Sequence, residues 1–488
     1  MSLSRPSKRS RLSGFIRITL DAQLISGGLW RPSQDNTKEF SSQDKTLSDY
    51  YKCPEELCEI QLNGKLSGEQ GFFQFAPGVF CYGRCDQGRP LPSPVGSLFD
   101  ASQAIVIDQG VVYLPFDLSE VVINLRRERY TTSANTPHSL RILEALEHYI
   151  YYFFRPWMPV ALRKHLQRIR LNGWRCFPFP HWPVDHTVDS ILEEALILCM
   201  KAKGTSSVPF IWFWPEGAQC CAIMTHDVET SSGVNSCREL MALDEAFEIR
   251  SSFQFVPEGR YIVPDDLLEE ARSRGFEINV QDLTHDGNLF REREEFLRRA
   301  ARINDHFRSF GAKGFRSAIM YRNAEWLNAL EASYDMSFPS VAHLDPQRGG
   351  CCTIMPYFID NIVELPLTTI QDYSLLHILG ESSINVWERQ IELIRQKHGL
   401  ISFIVHPDYL ESKREIGLYE SLLNYLCRMR AKSGLWIACP GDVNQWWRER
   451  NQMKLVFQNG KWSIEGQGSH RARIAYAILV DGHITYKC

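Results

Sequence analysis

Nowhere in this chain of 488 residues does an apolar run reach the length of about 18 that a membrane-spanning helix needs. It also lacks an excess of either charge. Its 54 Lys and Arg stand against 58 Asp and Glu, a formal net charge of −4, which gives no support for whole-protein attraction to nucleic acid or to a membrane surface. A zinc-finger spacing is missing too. The closest grouping, Cys53, Cys58, Cys81 and Cys85, has C-x4-C and C-x3-C gaps that miss the usual pattern. There is no secretory h-region. The N-terminus MSLSRPSKRSRLSGFIRITL is basic, but its apolar stretch from Gly14 to Leu20 is short and broken by Arg17, so residues 1–20 read as a disordered basic tail. Nor is the chain poor in apolar residues: at 44% apolar and 23% charged it is no disordered, collagenous or small disulfide-stapled protein.

Aromatic residues are plentiful at 12%, with 12 Trp, 18 Tyr and 27 Phe. Such residues serve sugar-facing clefts, and more often cores. The 14 cysteines lie largely in apolar contexts, such as Cys199 in LILCM, Cys220 and Cys221 beside AIM, and Cys439 in WIACP. Thiols of this kind fit a reducing, cytoplasmic setting better than an oxidising exterior.

The length suggests roughly two to four domains. Residues 21–135 carry short apolar runs broken by turn residues and read as a mixed α/β domain, with strands near 71–80 and 103–115. Residues 136–205 read as a helical connector that ends in the Pro-rich, aromatic stretch CFPFPHWPVDHT. The connector includes a basic helix at 160–175, with Arg163, Lys164, Arg168 and Arg170. That helix has the character of a peripheral membrane contact, although helices like it more often pack one face on a neighbour. Residues 206–440 alternate strands with helices, which predicts a parallel α/β sheet, and the number of units favours a barrel. Within this span, NAEWLNALEAS is expected to be a helix. Residues 441–488 hold two hairpin signals, Asn459-Gly460 and Asp481-Gly482, and read as a small antiparallel appendage.

In a parallel barrel, catalytic groups sit at the C-terminal ends of the strands. The first barrel strand ends in Thr225-His226-Asp227-Val228-Glu229. Asp227 and Glu229, two apart, share a strand face and suit the roles of general base and metal ligand; capping the next helix is the plainer use of such a carboxylate. The third strand ends in Val280-Gln281-Asp282-Leu283-Thr284-His285-Asp286. Its Asp282 and His285 could complete a metal site, or form a polar turn that satisfies its own backbone. Arg316, in GFRSA, could pair with a carboxylate and lower its pKa. The strand ISFIV delivers His406, followed by Asp408, a plausible general acid or base with an acidic neighbour.

Taken in order, these segments resemble the polysaccharide deacetylases, the NodB-homology family of carbohydrate esterase family 4, over roughly residues 206–440. THDVE stands where that family has T-F-D-D-G. Gln281-Asp282-Leu283-Thr284-His285 stands for H-(S/T)-x-x-H, GFRSA for the arginine motif, and Ile401 to His406 for the late histidine strand. The resemblance implies a distorted (β/α) barrel of the polysaccharide-deacetylase type, flanked by the N-terminal mixed α+β domain and the C-terminal antiparallel β appendage. It implies metal-dependent hydrolysis that removes an acetyl group from an N-acetylated sugar or related amide. Asp227 would be the base, His406 the acid and Arg316 the tether of Asp227. The cofactor would be a divalent metal, zinc above all, held by Glu229 and His285 with Gln281 or Asp282.

Two positions depart from the pattern. Val228 stands where the family's metal-binding Asp would be, leaving Glu229 one step on. Gln281 replaces the first metal-binding His, and an amide oxygen is a weak zinc ligand. His343 and Asp345 are further candidate donors. Two classes of function follow: a metal-dependent hydrolase of polysaccharide metabolism with a carbohydrate substrate, or a catalytically weakened barrel that binds a glycan or a partner within a polysaccharide-synthesis assembly. A nucleic-acid partner is expected for neither.

Overall fold

The structure is a computed structural model, and it describes residues 44–86, 90–132, 166, 168–169, 171, 173–410 and 412–488. The basic tail and the first part of the connector, including the periodic helix expected over 139–154, lie outside the described residues. So does much of the basic helix at 160–175.

The described residues open with helix α1 (Thr46–Tyr51), followed by strands β1 (Ile60–Leu62), β2 (Gly71–Ala76), β3 (Val79–Gly83), β4 (Val106–Asp108) and β5 (Val111–Leu114), then helix α2 (Leu118–Arg126). These form a three-stranded sheet β1-β5-β4 and a β2–β3 hairpin, where turn residues break up the short apolar runs. Helix α3 (Thr187–Lys203) buries Val188, Ile191, Leu192, Ala195, Leu196, Cys199 and Met200, the three- and four-residue spacing of a core-facing helix stripe. It stops at Gly204, which takes a left-handed conformation at φ 62°.

Beyond α3 come β6 (Ser207–Ile211), β7 (Cys220–Val228), α4 (Ser231–Ala246), β8 (Ser252–Phe255), α5 (Asp265–Ser273), β9 (Glu277–Gln281), α6 (Arg293–Phe310), β10 (Gly314–Arg316), β11 (Tyr334–Asp335), β12 (Tyr357–Ile359), β13 (Ile362–Glu364), α7 (Asn385–Gln396), β14 (Leu400–Ile404), α8 (Lys413–Ser433) and β15 (Leu435–Ile437). A nine-stranded sheet runs β12-β13-β11-β10-β9-β8-β7-β14, with β15 paired to the start of β7. Apart from β12, its pairings are parallel. The sheet curls into the distorted barrel anticipated above. β7 is buried along all nine residues, because it lies between β14 and β8 in the sheet and packs one face in a cluster with residues of α4 and α8, the setting of a parallel strand. The chain after β13 completes the curl. Thr368 and Thr369 hydroxyls donate to the carbonyls of Leu400 and Ser402, each at 2.7 Å.

One expected helix is absent. NAEWLNALEAS forms only a 3-10 turn at Leu327–Ala329. Asn304 of α6 takes the backbone groups that a longer helix would use, donating to the Ala329 carbonyl and accepting from the Glu331 N–H. Leu327 and Leu330 are buried all the same, so the apolar spacing marked a core contact and not a helix.

The chain closes with α9 (Pro440–Gln452), β16 (Lys454–Gln458), β17 (Lys461–Glu465), β18 (Ile474–Val480) and β19 (His483–Lys487). Both hairpins turn at the expected pairs, with Asn459 and Gly460 at φ 51° and 76°, and Asp481 and Gly482 at 50° and 84°. β6 does not join the barrel sheet; it pairs antiparallel with β18. The same packing explains PFIWFWP. Trp212 and Trp214 are buried, their indole N–H groups donating to the carbonyls of Ala218 and His398. They are core residues in a cluster that also takes in α1, α3 and the C-terminal hairpin.

Candidate active site

Because the barrel strands are parallel, their C-terminal ends share one rim, and the polar residues singled out above meet there. Glu229, just past β7, places Oε1 2.8 Å from His285 Nε2 and 3.6 Å from His406 Nε2. A single carboxylate oxygen thus lies against two imidazoles. The opposite side of the His406 ring is held by Asp372. Nδ1 sits 2.6 Å from Asp372 Oδ1, and the His406 backbone N–H donates to Asp372 Oδ2 at 2.7 Å. A carboxylate on Nδ1 keeps a proton there and aims Nε2 at Glu229.

Asp227 is buried at the centre of the group. Its Oδ2 accepts from the Gln281 amide at 3.2 Å, while its Oδ1 has no partner. Arg316 makes no hydrogen bond to Asp227. Its Nη2 donates to Thr225 Oγ1 at 3.1 Å, and its charge acts on Asp227 through space. The tether expected of Arg316 is therefore supplied by Gln281.

Several residues shape the backbone of the site. Asp408 does not pair with His406. It accepts the Glu229 N–H at 2.9 Å and the Thr230 hydroxyl, so it fixes the turn that presents Glu229. Its carboxylate lies so close to α4 that a Cβ on Gly233 would come within 2.4 Å of Oδ2, and only glycine fits there. Arg260, from the loop after β8, donates to the carbonyls of Glu229 (3.3 Å) and His285 (2.9 Å) and bridges the two segments. Asp282 has φ 53° and turns Oδ1 onto the Leu283 N–H at 2.6 Å in a polar turn, while its Oδ2 is buried without a partner. Asp286 pairs with Arg299 at 2.8 Å, and that pairing holds it down at about 2 against the opposing effect of burial.

Burial raises the pKa of Asp227, with Arg316 and His406 pulling the other way. For His406, burial alone would push it down; the negative charges of Asp372 and Glu229 reverse this and hold it well above the usual histidine value. Burial likewise opposes the ionised form of Glu229, but the two histidines, His285 first, drive it well below the usual carboxylate value. The site therefore pairs a carboxylate shifted toward neutrality with an imidazole that keeps its proton. Enzymes set up an acid and a base in this way.

A three-donor metal centre does not fit these side chains. Glu229 and His285 form one pair of suitable donors, but Gln281 offers only an amide oxygen, a weak zinc ligand, and Asp282 turns Oδ1 into its own loop. Among the described residues no group of three or more His, Cys, Asp and Glu is gathered as a metal site. His343 and Asp345 do not join the group. His343 stacks on Trp182 and meets Phe177. Asp345 accepts from Gln371 at 2.9 Å, and burial raises it to about 6.

Asp372 was not identifiable from sequence. It lies 34 positions before His406 in TTIQDYS, with no strand end to mark it. Arg260 was equally unmarked, since its contacts are to backbone carbonyls.

No family model matches this chain, and no curated protein matches it. Among solved structures it is similar to a Mycobacterium smegmatis protein assigned as a polysaccharide deacetylase (TM-score 0.40, 14% identity, 51% of this chain and 98% of that one). It is also similar to PuuE allantoinase (0.37, 12%, 48% and 92%), and to the peptidoglycan deacetylase PdaC from Bacillus subtilis (0.32, 8%, 48% and 93%).

Proposed function

We propose that this site hydrolyses an amide, removing the acetyl group from an N-acetylated sugar or a related acetamide. One observation carries the reading: Asp227, with its raised pKa, and His406, kept protonated by Asp372, come from strand ends that are neighbours in the sheet, β7 and β14. Asp227 takes a proton from the attacking water as its oxygen bonds to the carbonyl carbon. His406 then gives its Nε2 proton to the departing nitrogen as the C–N bond breaks, leaving acetate and an amine. Asp372 balances the imidazolium through Nδ1. Glu229 and His285 lie beside His406 and orient the water or the acyl oxygen. No step is assigned to a metal. A reduced, cytoplasmic setting belongs to the same reading and is supported by the buried thiols: Cys199 and Cys220 are each raised by burial to about 12.

Acetate release from N-acetylglucosamine and its oligomers, with and without added zinc, tests the proposal. Asp227→Ala and His406→Ala should each lower the rate by about 10²–10⁴-fold, the usual worth of a general acid or base. If the wild type releases no acetate from any acetamido sugar, with or without metal, the hydrolase reading falls, and a barrel that binds without cleaving takes its place.

A further inference from the structure

His226 stands one residue before Asp227 and points to the other face of β7. It is completely buried. Its Nδ1 lies 2.9 Å from the carbonyl oxygen of Val405, the residue before His406. Its Nε2 lies 3.0 Å from Asp244 Oδ2. Asp244, in α4, also accepts from Ser251 Oγ and, on its other oxygen, from the Tyr419 hydroxyl of α8, each at 2.6 Å. The Tyr419 oxygen is 3.5 Å from Nε2, and Phe253 of β8 covers the ring. Among the described residues, Asp244 is the one charged side chain bonded to this histidine.

The proton count follows from the acceptors. A carbonyl oxygen only accepts, so Nδ1 carries a hydrogen. Asp244 Oδ2 already takes the Ser251 hydroxyl, and its contact with Nε2 needs a hydrogen as well. We infer that His226 is a buried imidazolium paired with the Asp244 carboxylate, and that it is a positioning residue holding the ends of β7 and β14 in register, so that Asp227 and His406 face each other. A buried charge pair is tolerable only when every lone pair and N–H is satisfied, and here both oxygens of Asp244 and both nitrogens of His226 are bonded. An apolar side chain could fill the same space, but it could not reach across to the Val405 carbonyl. The consequence for Asp227 and His406 rests on their reading as base and acid; the protonation of His226 does not.

Long-range ¹H–¹⁵N spectra of the full chain labelled at histidine separate the two statements. At pH 8 the wild type should show the imidazolium pattern, both ring nitrogens protonated, for His226 as well as His406. His226→Phe should remove the first pattern and shift or broaden away the low-field Nδ1–H resonance of His406. Asp244→Asn offers an amide N–H to Nε2, so the ring stays bonded but becomes neutral. There His226 should show a single Nδ1–H tautomer while His406 is unmoved. A neutral His226 in the wild type at pH 8 would overturn the protonation. An unchanged His406 resonance in a folded His226→Phe protein would overturn the positioning role. Should that variant fail to fold, Asp244→Asn decides: a His406 resonance that moves there shows that the charge, and not the hydrogen bond, sets the register, and sinks the inference. None of these readouts depends on acetate release, so they stand apart from a failure of the hydrolase reading.

Discussion

Asp372 grips His406 twice, through Nδ1 at 2.6 Å and through the backbone N–H at 2.7 Å. The double hold fixes both the tautomer and the position of the ring, and it comes from a segment outside the regular strands. Asp408, two residues from His406, leaves the ring alone and shapes the turn at Glu229.

Asp372→Asn should therefore lower kcat by about 100-fold, within the range for a general acid. It should also change the pH profile in a definite direction. His406 is raised, so its acid form is present at low pH and is lost as pH rises through that raised value. Without the Asp372 charge, burial dominates and the value falls. The alkaline limb of the rate profile should move to lower pH. An unchanged alkaline limb would mean that His406 is not the acid.

Gln281→Leu tests the base. The Gln281 amide donates to Asp227 and favours its ionised form. Removing that donor should raise the pKa of Asp227 further. Base activity is lost as pH falls through this value, so the acid limb should shift to higher pH, measurable as kcat/KM between about pH 5 and 8.

Metal binding should hinge on the same position. Glu229 and His285 supply two donors 2.8 Å apart, and Gln281→His would add a nitrogen donor in place of the amide. Calorimetric titration with zinc should show at least tenfold tighter binding by the variant than by the wild type. Equal affinities would show that the missing histidine is not what keeps the donor set from closing.

Asp335 and Glu364 pair in register on β11 and β13, both fully buried. Burial raises each of them, and their mutual repulsion raises Glu364 further. Carboxyls with raised folded-state values favour folding in acid, and that contribution is lost as pH climbs from the ordinary carboxylate range, about 4, toward the raised values. Glu364→Gln should unfold at a higher temperature than the wild type at pH 8, and the gap should close near pH 5. A constant gap across that range would contradict the raised value of Glu364.

The buried ion pair of Glu128 and Arg322, made by two hydrogen bonds of 2.7 and 2.5 Å, joins the N-terminal part to the loop after β10. Glu128→Ala strands the guanidinium and should cost about 3–5 kcal/mol in denaturant unfolding. The double variant Glu128→Leu, Arg322→Met should recover most of that loss.

The amino-acid order alone determined the alternation of strands and helices, the parallel barrel, both hairpin turns and the placing of Asp227, Glu229, Gln281, His285, Arg316 and His406 at strand ends. These are local properties: periodicity, turn chemistry, and polar residues following apolar runs. Tertiary structure alone decided which polar residues meet. Asp372 reaches His406 because the chain after β13 is stitched to β14 by two threonine hydroxyls. Gln281, where a metal-binding histidine was expected, faces Asp227 because β9 and β7 lie on either side of β8. Asn304 halts a helix by capturing backbone groups about 25 positions away. Hydrogen-bond partners distant in sequence are chosen by strand order and register, and no local pattern of residues encodes either one.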